Sequence, residues 1–235
     1  VFIDGRPVYD PFFGDVDLSN LPVDNIAKIK IIKGPVGPAY GPNALGTVLN
    51  IITKKGTTES TTRANVSYEE ANTQDYWLEH GGQKDKLNYY LTGSYRRTNG
   101  FDLADDYKPT PIQPKGFRQH GAFEKWNVST NLGYDFTQDD KIALLLGYYD
   151  ADLDNPVNVN QSTTARRGIP FTSFSDWKRW YVDVHGQTKL TEKLELRGNV
   201  FFDRFQNDLV IYTDNSFSEI DDISRDTNDV IGTNL

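Results

Sequence analysis

Several segments of this chain alternate apolar and polar side chains for about ten residues at a time, the period of strands with one apolar and one polar face. Short polar turns join some of these strands, and long segments rich in Gly, Pro and Asp join the others. Strands of this length with short turns at one end and long loops at the other are typical of a transmembrane β-barrel. The clearest strands are 87–95, 126–136, 142–148, 179–187 and 194–203, and the long loops are 98–122, 152–175 and 207–226.

A soluble antiparallel sandwich would show the same alternation, so the pattern alone leaves two fold classes open. Sandwich strands are usually shorter, and long loops confined to one end are less expected there. Aromatic side chains stand near the strand ends, where a membrane barrel places its two interfacial girdles; they are Tyr134, Phe136, Tyr148 and Trp180. These aromatics favour the barrel.

The composition excludes several other classes. The 33 acidic and 25 basic residues give a net charge of −8, which argues against a nucleic-acid partner. The chain has no Cys, so neither a disulfide framework nor a thiolate metal site can form. It also has no Met, which indicates a processed product or a fragment. No apolar run approaches the ~20 residues of a membrane helix, so any membrane crossing must use strands.

The sequence shows no catalytic motif. Its three histidines, His80, His120 and His185, are far apart and not at metal-ligand spacing. Segment 41–47 lacks the Lys of a phosphate-binding loop. We therefore expect no enzyme activity, no cofactor and no resident metal. An acidic group in the first long loop would permit calcium, although a solvated loop is the simpler interpretation; the group is Asp102, Asp105 and Asp106.

Residues 1–56 form a block of different character. Short strands are predicted at 1–3 and 27–32, with a turn into a short helix between them, near Pro22. Between residues 33 and 56, glycines and prolines crowd together before an apolar strand that ends at two lysines. A Thr-rich link, 57–62, separates this block from the alternating strands, which occupy 63–235.

Three stretches of this first block resemble the plug domain of TonB-dependent outer-membrane receptors. VFIDGRPV (1–8) resembles the strand and turn near the middle of the plug, and IAKIKIIKGP (26–35) resembles a later strand. YG (40–41), ALG (44–46) and NIITK (50–54) resemble the motif that closes the plug in this family. Lys30 replaces a usual acidic residue, and Thr47 replaces the second Gly of a pair. The positions that match the motif are Asp4, Gly5, Lys33, Gly34, Pro35, Tyr40, Gly41, Gly46 and Asn50.

The resemblance implies an all-β fold, a partial transmembrane antiparallel β-barrel preceded by a small α+β plug segment. Residues 1–56 would be the C-terminal part of the plug, followed by about seven of roughly 22 wall strands. It also implies energy-dependent uptake of a bulky nutrient, a ferric siderophore (iron) or cobalamin, across the outer membrane of a Gram-negative cell. The partners would be TonB, outer-membrane lipid and that ligand, and the TonB box would lie upstream of Val1.

In receptors of this family, the loop after the Ile-Asp-Gly strand points toward the extracellular pocket. Exposed aromatics there would give a bulky ligand a large contact area. The alternative is that these rings anchor the loop in the plug core. The substrate-facing candidates are Tyr9, Phe12, Phe13 and Asp15, with Arg166 and Arg167 of the second long loop as a weaker pair for an anionic ligand.

Two other functions stay open at this point. A signal-transducing receptor shares the fold and adds an upstream signalling domain, so residues 1–235 do not distinguish it from a plain transporter. A soluble β-rich binding module is the remote alternative. Membrane partition separates the two classes, because the barrel places Trp126, Leu144, Val182 and Leu196 in lipid.

Overall fold

The computed structural model describes residues 1–9, 14, 16, 18, 21–34, 46–159 and 171–235. Within them the chain forms two sheets. The small sheet lies in residues 1–56, which we call the plug segment, and has the strand order β2-β1-β4-β3. Its strands are β1 (Phe2–Ile3), β2 (Arg6–Pro7), β3 (Ile26–Lys33) and β4 (Thr47–Thr53). β1 runs parallel to β4, and the other pairs are antiparallel.

The second sheet, which we call the wall, follows chain order without a crossover. In the described residues it has eight strands, each antiparallel to the next, with β5 and β12 at its two edges. The strands are β5 (Thr61–Glu69), β6 (Thr73–Lys84), β7 (Leu87–Thr98), β8 (Phe123–Asp135), β9 (Lys141–Asp154), β10 (Phe171–Thr191), β11 (Leu194–Tyr212) and β12 (Ile220–Asn234).

The alternation determines which face of the wall meets the plug segment. The polar face turns toward the small sheet, where Asn127, Asp183 and Asp203 are buried. The apolar face is exposed, and Trp126 and Val200 leave more than half of their surface uncovered. A soluble sandwich would bury the apolar face and expose the polar one. The wall does the reverse, as a strand-built membrane protein does.

Aromatic rings run across the outer face of the wall at one level. Tyr95 lies 6.1 Å from Tyr76 and 4.3 Å from Trp126, measured between ring centroids. Further along, Trp180 pairs across strands with Tyr148 and lies 4.9 Å from Phe202. Tyr134 and Phe136 stand at the short-turn end, 4.9 Å apart. These two groups lie where the interfacial girdles of a membrane barrel are expected.

The short helix predicted near Pro22 does not form at residues 21–26, although Leu18 has a 3₁₀ conformation. Residues 21–25 form turns, with hydrogen bonds from Leu21 N to Leu18 O (3.3 Å) and from Ile26 N to Val23 O (3.2 Å). Pro22 has no N–H to donate, and the Asp24 carboxylate binds Arg96 of the wall instead of capping a helix. No described helix is long and apolar enough to cross a membrane.

The wall also has one strand more than the seven or so that the alternation indicates. Segment 207–226, predicted as a loop, is mostly strand, because β11 continues to Tyr212 and β12 begins at Ile220. The outer face there carries cross-strand ion pairs in place of an apolar stripe. Arg204 binds Asp229 through two bonds of 2.6 Å, and Arg225 binds Asp208 at 3.0 Å.

Candidate functional site at the junction of plug and wall

The Arg6 side chain crosses from the plug segment to the wall and is buried there, with 1% of its surface exposed. Its Nη1 donates to Oδ2 of Asp203, and its Nε lies 3.9 Å from Oδ2 of Asp183. The guanidinium carbon lies 4.0 Å from the centre of the Tyr181 ring. Asp203 also accepts a 2.9 Å hydrogen bond from Nε of Arg179. We call these residues the Arg6 seat.

A tight turn places Arg6. Asp4 and Gly5 both have positive φ, 50° and 88°, a conformation that costs Gly little. The Asp4 carboxylate accepts hydrogen bonds from the Thr53 backbone N at 3.1 Å and the Thr53 hydroxyl at 2.6 Å. The turn between β1 and β2 is thus tied to β4, and the next residue, Arg6, reaches the wall.

The charges of the Arg6 seat balance, since Arg6 and Arg179 face Asp183 and Asp203. Burial lowers the pKa of the Arg6 guanidinium, and the negative charge around it opposes that shift. An arginine keeps its proton at neutral pH even so. A buried ion pair adds little stability when intact, but removing one partner leaves an unpaired buried charge at high cost.

Amide side chains extend the seat toward the end of the wall. Asn199 Nδ2 donates to Asp183 Oδ1 at 2.9 Å, and Asn234 Nδ2 donates to Asn199 Oδ1 at 2.9 Å. Asn234 also lies 3.2 Å from the Gly5 carbonyl, so β12 contacts the same plug turn. His185, expected on the polar face, lies there with its Nε2 3.1 Å from Asp183 Oδ2, without the geometry of a hydrogen bond.

A second cation of the plug segment, Lys54, docks on a different part of the wall. Its Nζ lies 2.5 Å from Oε2 of buried Glu79 and donates to the Asp24 carbonyl at 2.9 Å. Arg63 approaches the other oxygen of Glu79 at 3.4 Å. The Tyr90 ring lies beneath Lys54, with 5.7 Å between Nζ and the ring centre. We call these wall residues together with Lys54 the Lys54 seat.

The turn before β3 adds neutral and charged contacts beside the Lys54 seat. Arg96 Nη2 donates to Asp24 Oδ1 at 2.7 Å, and Asn25 Nδ2 donates to the Ser129 hydroxyl at 3.0 Å. The Asn25 carbonyl accepts from the Lys54 backbone N at 2.7 Å. The plug segment therefore meets the wall through hydrogen bonds and ion pairs at two places, one on β10–β12 and one on β6–β8.

Of the predicted substrate-facing residues, Tyr9 lies in the described part of the chain. Its carbonyl accepts a 3.4 Å hydrogen bond from Arg179 Nη2. It lines a cavity of about 60 Å³ between plug and wall, together with Val8, Trp177 and Phe205. Phe12, Phe13, Asp15, Arg166 and Arg167 lie outside the described residues.

The plug motif is described in part. Lys33 pairs with Thr47, and Gly34, with φ of 106°, donates from its N to the Gly46 carbonyl at 2.8 Å. Asn50 lies in β4 between β1 and β3, paired with Phe2 and with Lys30. Pro35, Tyr40 and Gly41 lie outside the described residues.

At the long-loop end of the wall, apolar side chains from three loops and the adjoining strands form a small core that the sequence analysis missed. Ile112, Val157 and Phe171 are buried, and Tyr212 and Phe217 pack against them; we call this the loop cluster. His120 stacks on Phe217 with 3.6 Å between ring centres. In the described residues no group of three or more acidic or histidine side chains is placed to hold a metal, the acidic group at 102–106 included.

The comparisons with known proteins agree with this arrangement. A family model described as the TonB-dependent receptor plug domain matches residues 1–48. Residues 1–48 therefore carry the plug domain of a TonB-dependent receptor. It is 24% identical over 168 residues to the iron-regulated outer membrane virulence protein of Vibrio cholerae, a match that covers 71% of this chain and 24% of that protein. The chain thus spans about a quarter of the length of these curated relatives.

Solved structures share the fold. The copper transporter OprC superposes with a TM-score of 0.74 at 15% identity, over 98% of this chain and 34% of that one. The unliganded ferric citrate transporter FecA superposes with a TM-score of 0.70 at 18% identity, over 99% of this chain and 34% of FecA. The siderophore receptor PirA from Acinetobacter baumannii superposes with a TM-score of 0.68 at 17% identity, over 98% of this chain and 36% of PirA. The wall therefore has the fold of part of an antiparallel β-barrel.

Proposed function

We propose that the intact receptor carries a scarce metal chelate through its barrel, with the plug segment closing the lumen between transport events. The observation that carries this proposal is the polar junction of plug and wall, built on Arg6 and Lys54. Ion pairs and hydrogen bonds exchange with water more readily than an apolar core does, so the plug can be held and still be released. The energy for release would come from TonB.

For the substrate we propose a ferric siderophore. The Vibrio relative is named as iron-regulated, and siderophore receptors and a ferric citrate transporter share the fold. One structure with this fold is a copper transporter, and cobalamin belongs to the same class of bulky nutrients expected from the sequence. Copper and cobalamin are therefore the competing substrates that a test must separate from iron.

We propose residues 1–56 as the C-terminal part of the plug, 57–62 as the linker and 63–235 as the wall. The place where the chain leaves the plug segment, at Gly56, supports this division. At Gly56 the backbone is pressed against the wall, because a Cβ there would lie 2.1 Å from the Gly82 carbonyl oxygen and 2.4 Å from that of Tyr89. The first wall strand, β5, begins at Thr61, so the last two residues of the proposed linker already pair with β6.

We also propose that the plug loop containing Tyr9, Phe12, Phe13 and Asp15 faces the substrate. The support is the position of Tyr9 in a cavity lined by the rings of Trp177 and Phe205. A Tyr9→Ala variant should weaken ligand affinity, measured by fluorescence quenching in detergent, and leave plug closure intact because Tyr9 is not part of the Arg6–carboxylate pairs.

The function is tested by uptake in cells whose other iron transporters are deleted. Radiolabelled ferric siderophore, copper and cyanocobalamin are offered under iron limitation. We expect iron to accumulate, and the accumulation to disappear in a strain without TonB or after a protonophore. Accumulation of copper or cobalamin alone would overturn the choice of substrate. If none of the three is taken up in a TonB-dependent way, the proposal that the receptor is a transporter is overturned.

A further inference from the structure

Two tyrosine rings of the polar face lie flat on glycines of the neighbouring strand. A Cβ added to Gly147 would lie 2.3 Å from Cε1 of Tyr181, and one added to Gly81 would lie 2.3 Å from Cδ2 of Tyr90. Each glycine is the direct cross-strand partner of its tyrosine. A glycine opposite an aromatic residue lets the ring cover the strand instead of standing away from it.

Both of these rings carry a cation of the plug segment. Arg6 lies 4.0 Å from the centre of the Tyr181 ring, and Lys54 Nζ lies 5.7 Å from the centre of the Tyr90 ring. These distances are within the range at which a cation is attracted to an aromatic face. Only a ring that lies flat presents this face to the lumen.

A buried carboxylate completes each arrangement. Asp203 binds Arg6, and Glu79 binds Lys54. The same four parts therefore occur twice at separate places on the wall: a plug cation, a wall carboxylate, a wall tyrosine and a glycine under the ring.

Other glycines of the wall separate this arrangement from ordinary packing. Phe201 lies on its partner Gly232, where a Cβ would come within 2.3 Å of the ring, so a flat ring over a glycine also occurs elsewhere in the sheet. Gly186, on the same strand as Tyr181, has no atom within 4 Å of an added Cβ. What distinguishes Tyr181 and Tyr90 is the pairing of a flat ring with a plug cation.

We propose that Gly147 and Gly81 are positioning residues for the closed state of the receptor: each lays a tyrosine flat so that a plug cation is seated between its ring and a carboxylate. The proposal rests on the proposed function, in which the plug closes the lumen. Each glycine acts through the ring above it. Replacing either glycine should loosen the plug and leave the wall assembled.

The test uses the intact receptor in outer-membrane vesicles, with any cysteine elsewhere replaced by serine. Val8, which is 2% exposed and two residues from Arg6, is changed to Cys, and its rate of reaction with a maleimide reports opening of the Arg6 seat. Gly147→Ala should raise that rate on the order of tenfold, the size of one lost cation–aromatic contact. The matched control is Gly186→Ala, which should label at the parent rate because its Cβ meets open space.

A double variant shows whether Gly147 acts through the ring. Once Tyr181→Ala has removed the ring, adding Gly147→Ala should change nothing further. If Gly147→Ala labels at the parent rate, or if the two changes add, the proposal is overturned. Equal labelling of Gly147→Ala and Gly186→Ala would also overturn it, since the effect would then be a general loosening of the wall.

Where Gly147→Ala does not assemble, judged by the heat-dependent mobility of the barrel in gels, Tyr181→Leu tests the same seat with Gly147 unchanged. It should label as fast as Tyr181→Ala, and labelling at the parent rate would overturn the proposal. Labelling needs neither substrate nor TonB. A receptor that opens as expected but takes up no metal chelate would therefore contradict the proposed function alone.

Discussion

Two regions of the molecule, the junction of plug and wall and the loop cluster, use opposite kinds of contact. At the junction of plug and wall, Arg6 and Lys54 are buried against carboxylates. In the loop cluster, Phe171 is completely buried among apolar side chains. An apolar cluster loses stability in proportion to the surface uncovered, whereas a buried ion pair loses it abruptly when one partner leaves. The plug segment is thus held to the wall by charged contacts, and the loops are held together by apolar ones.

Removal of Arg6 should produce the largest effect. Arg6→Ala leaves Asp203 buried with Arg179 and leaves Asp183 buried without Arg6, at a cost of about 3–5 kcal/mol to plug docking. Conductance of the intact receptor in planar bilayers measures the leak, which should rise. Arg6→Lys keeps the positive charge but loses the two-pronged guanidinium group, so its conductance should lie between those of the parent receptor and of Arg6→Ala. Unchanged conductance in Arg6→Ala would mean that the junction does not hold the plug.

Truncation of Phe171 should loosen the loops by about 3 kcal/mol without opening the plug, because a large buried ring is lost from the loop cluster alone. Limited proteolysis should then cut the loops near Phe217 faster, while conductance stays at the parent value. Phe117, which is about half exposed, supplies the control, since Phe117→Ala should leave both measurements unchanged. An increase in conductance for Phe171→Ala would show that the two regions are coupled.

A smaller effect is expected where the chain leaves the plug. Gly56→Ala forces a Cβ against the Gly82 carbonyl, and the resulting backbone shift should cost about 1–3 kcal/mol. The yield of heat-modifiable barrel after refolding into detergent measures it. Gly46→Ala is the control, because an added Cβ meets nothing within 4 Å. Equal yields would show that residues 57–62 adjust freely and do not fix the plug.

How far the sequence predicts these regions depends on the distance over which each contact acts. The position of Leu91, Trp126 and Val182 on the outer face of the wall follows from the two-residue repeat of a strand, which is a local feature of the sequence. β12 escapes detection because its outer face carries Asp229 opposite Arg204 instead of an apolar stripe. Arg6 and Asp203 are 197 residues apart, and their pairing depends on how the plug docks, which no local pattern encodes.

The smallest effect is expected at Asp140, a carboxylate near the surface. Asp140, in the short turn between β8 and β9, accepts hydrogen bonds from the Thr188 hydroxyl at 2.6 Å and the Thr137 hydroxyl at 2.9 Å. These bonds, that from Thr188 first, lower its pKa below the usual 3.8. A lowered pKa stabilises the folded turn above pH 3.8, and the stabilisation is lost as the pH falls through the folded value.

Hydrogen exchange at the Asp139 and Asp140 amides, both of which donate to the Thr137 hydroxyl, measures this turn. Protection corrected for the intrinsic rate should be constant from pH 7 down to about 4 and should fall below that, as acid protonates Asp140. Asp140→Asn should remove the pH dependence. Because Asp140 is much less buried than Arg6, the change should be far smaller than that of Arg6→Ala. A loss of comparable size would contradict the view that burial, more than charge, determines how strongly the junction holds the plug.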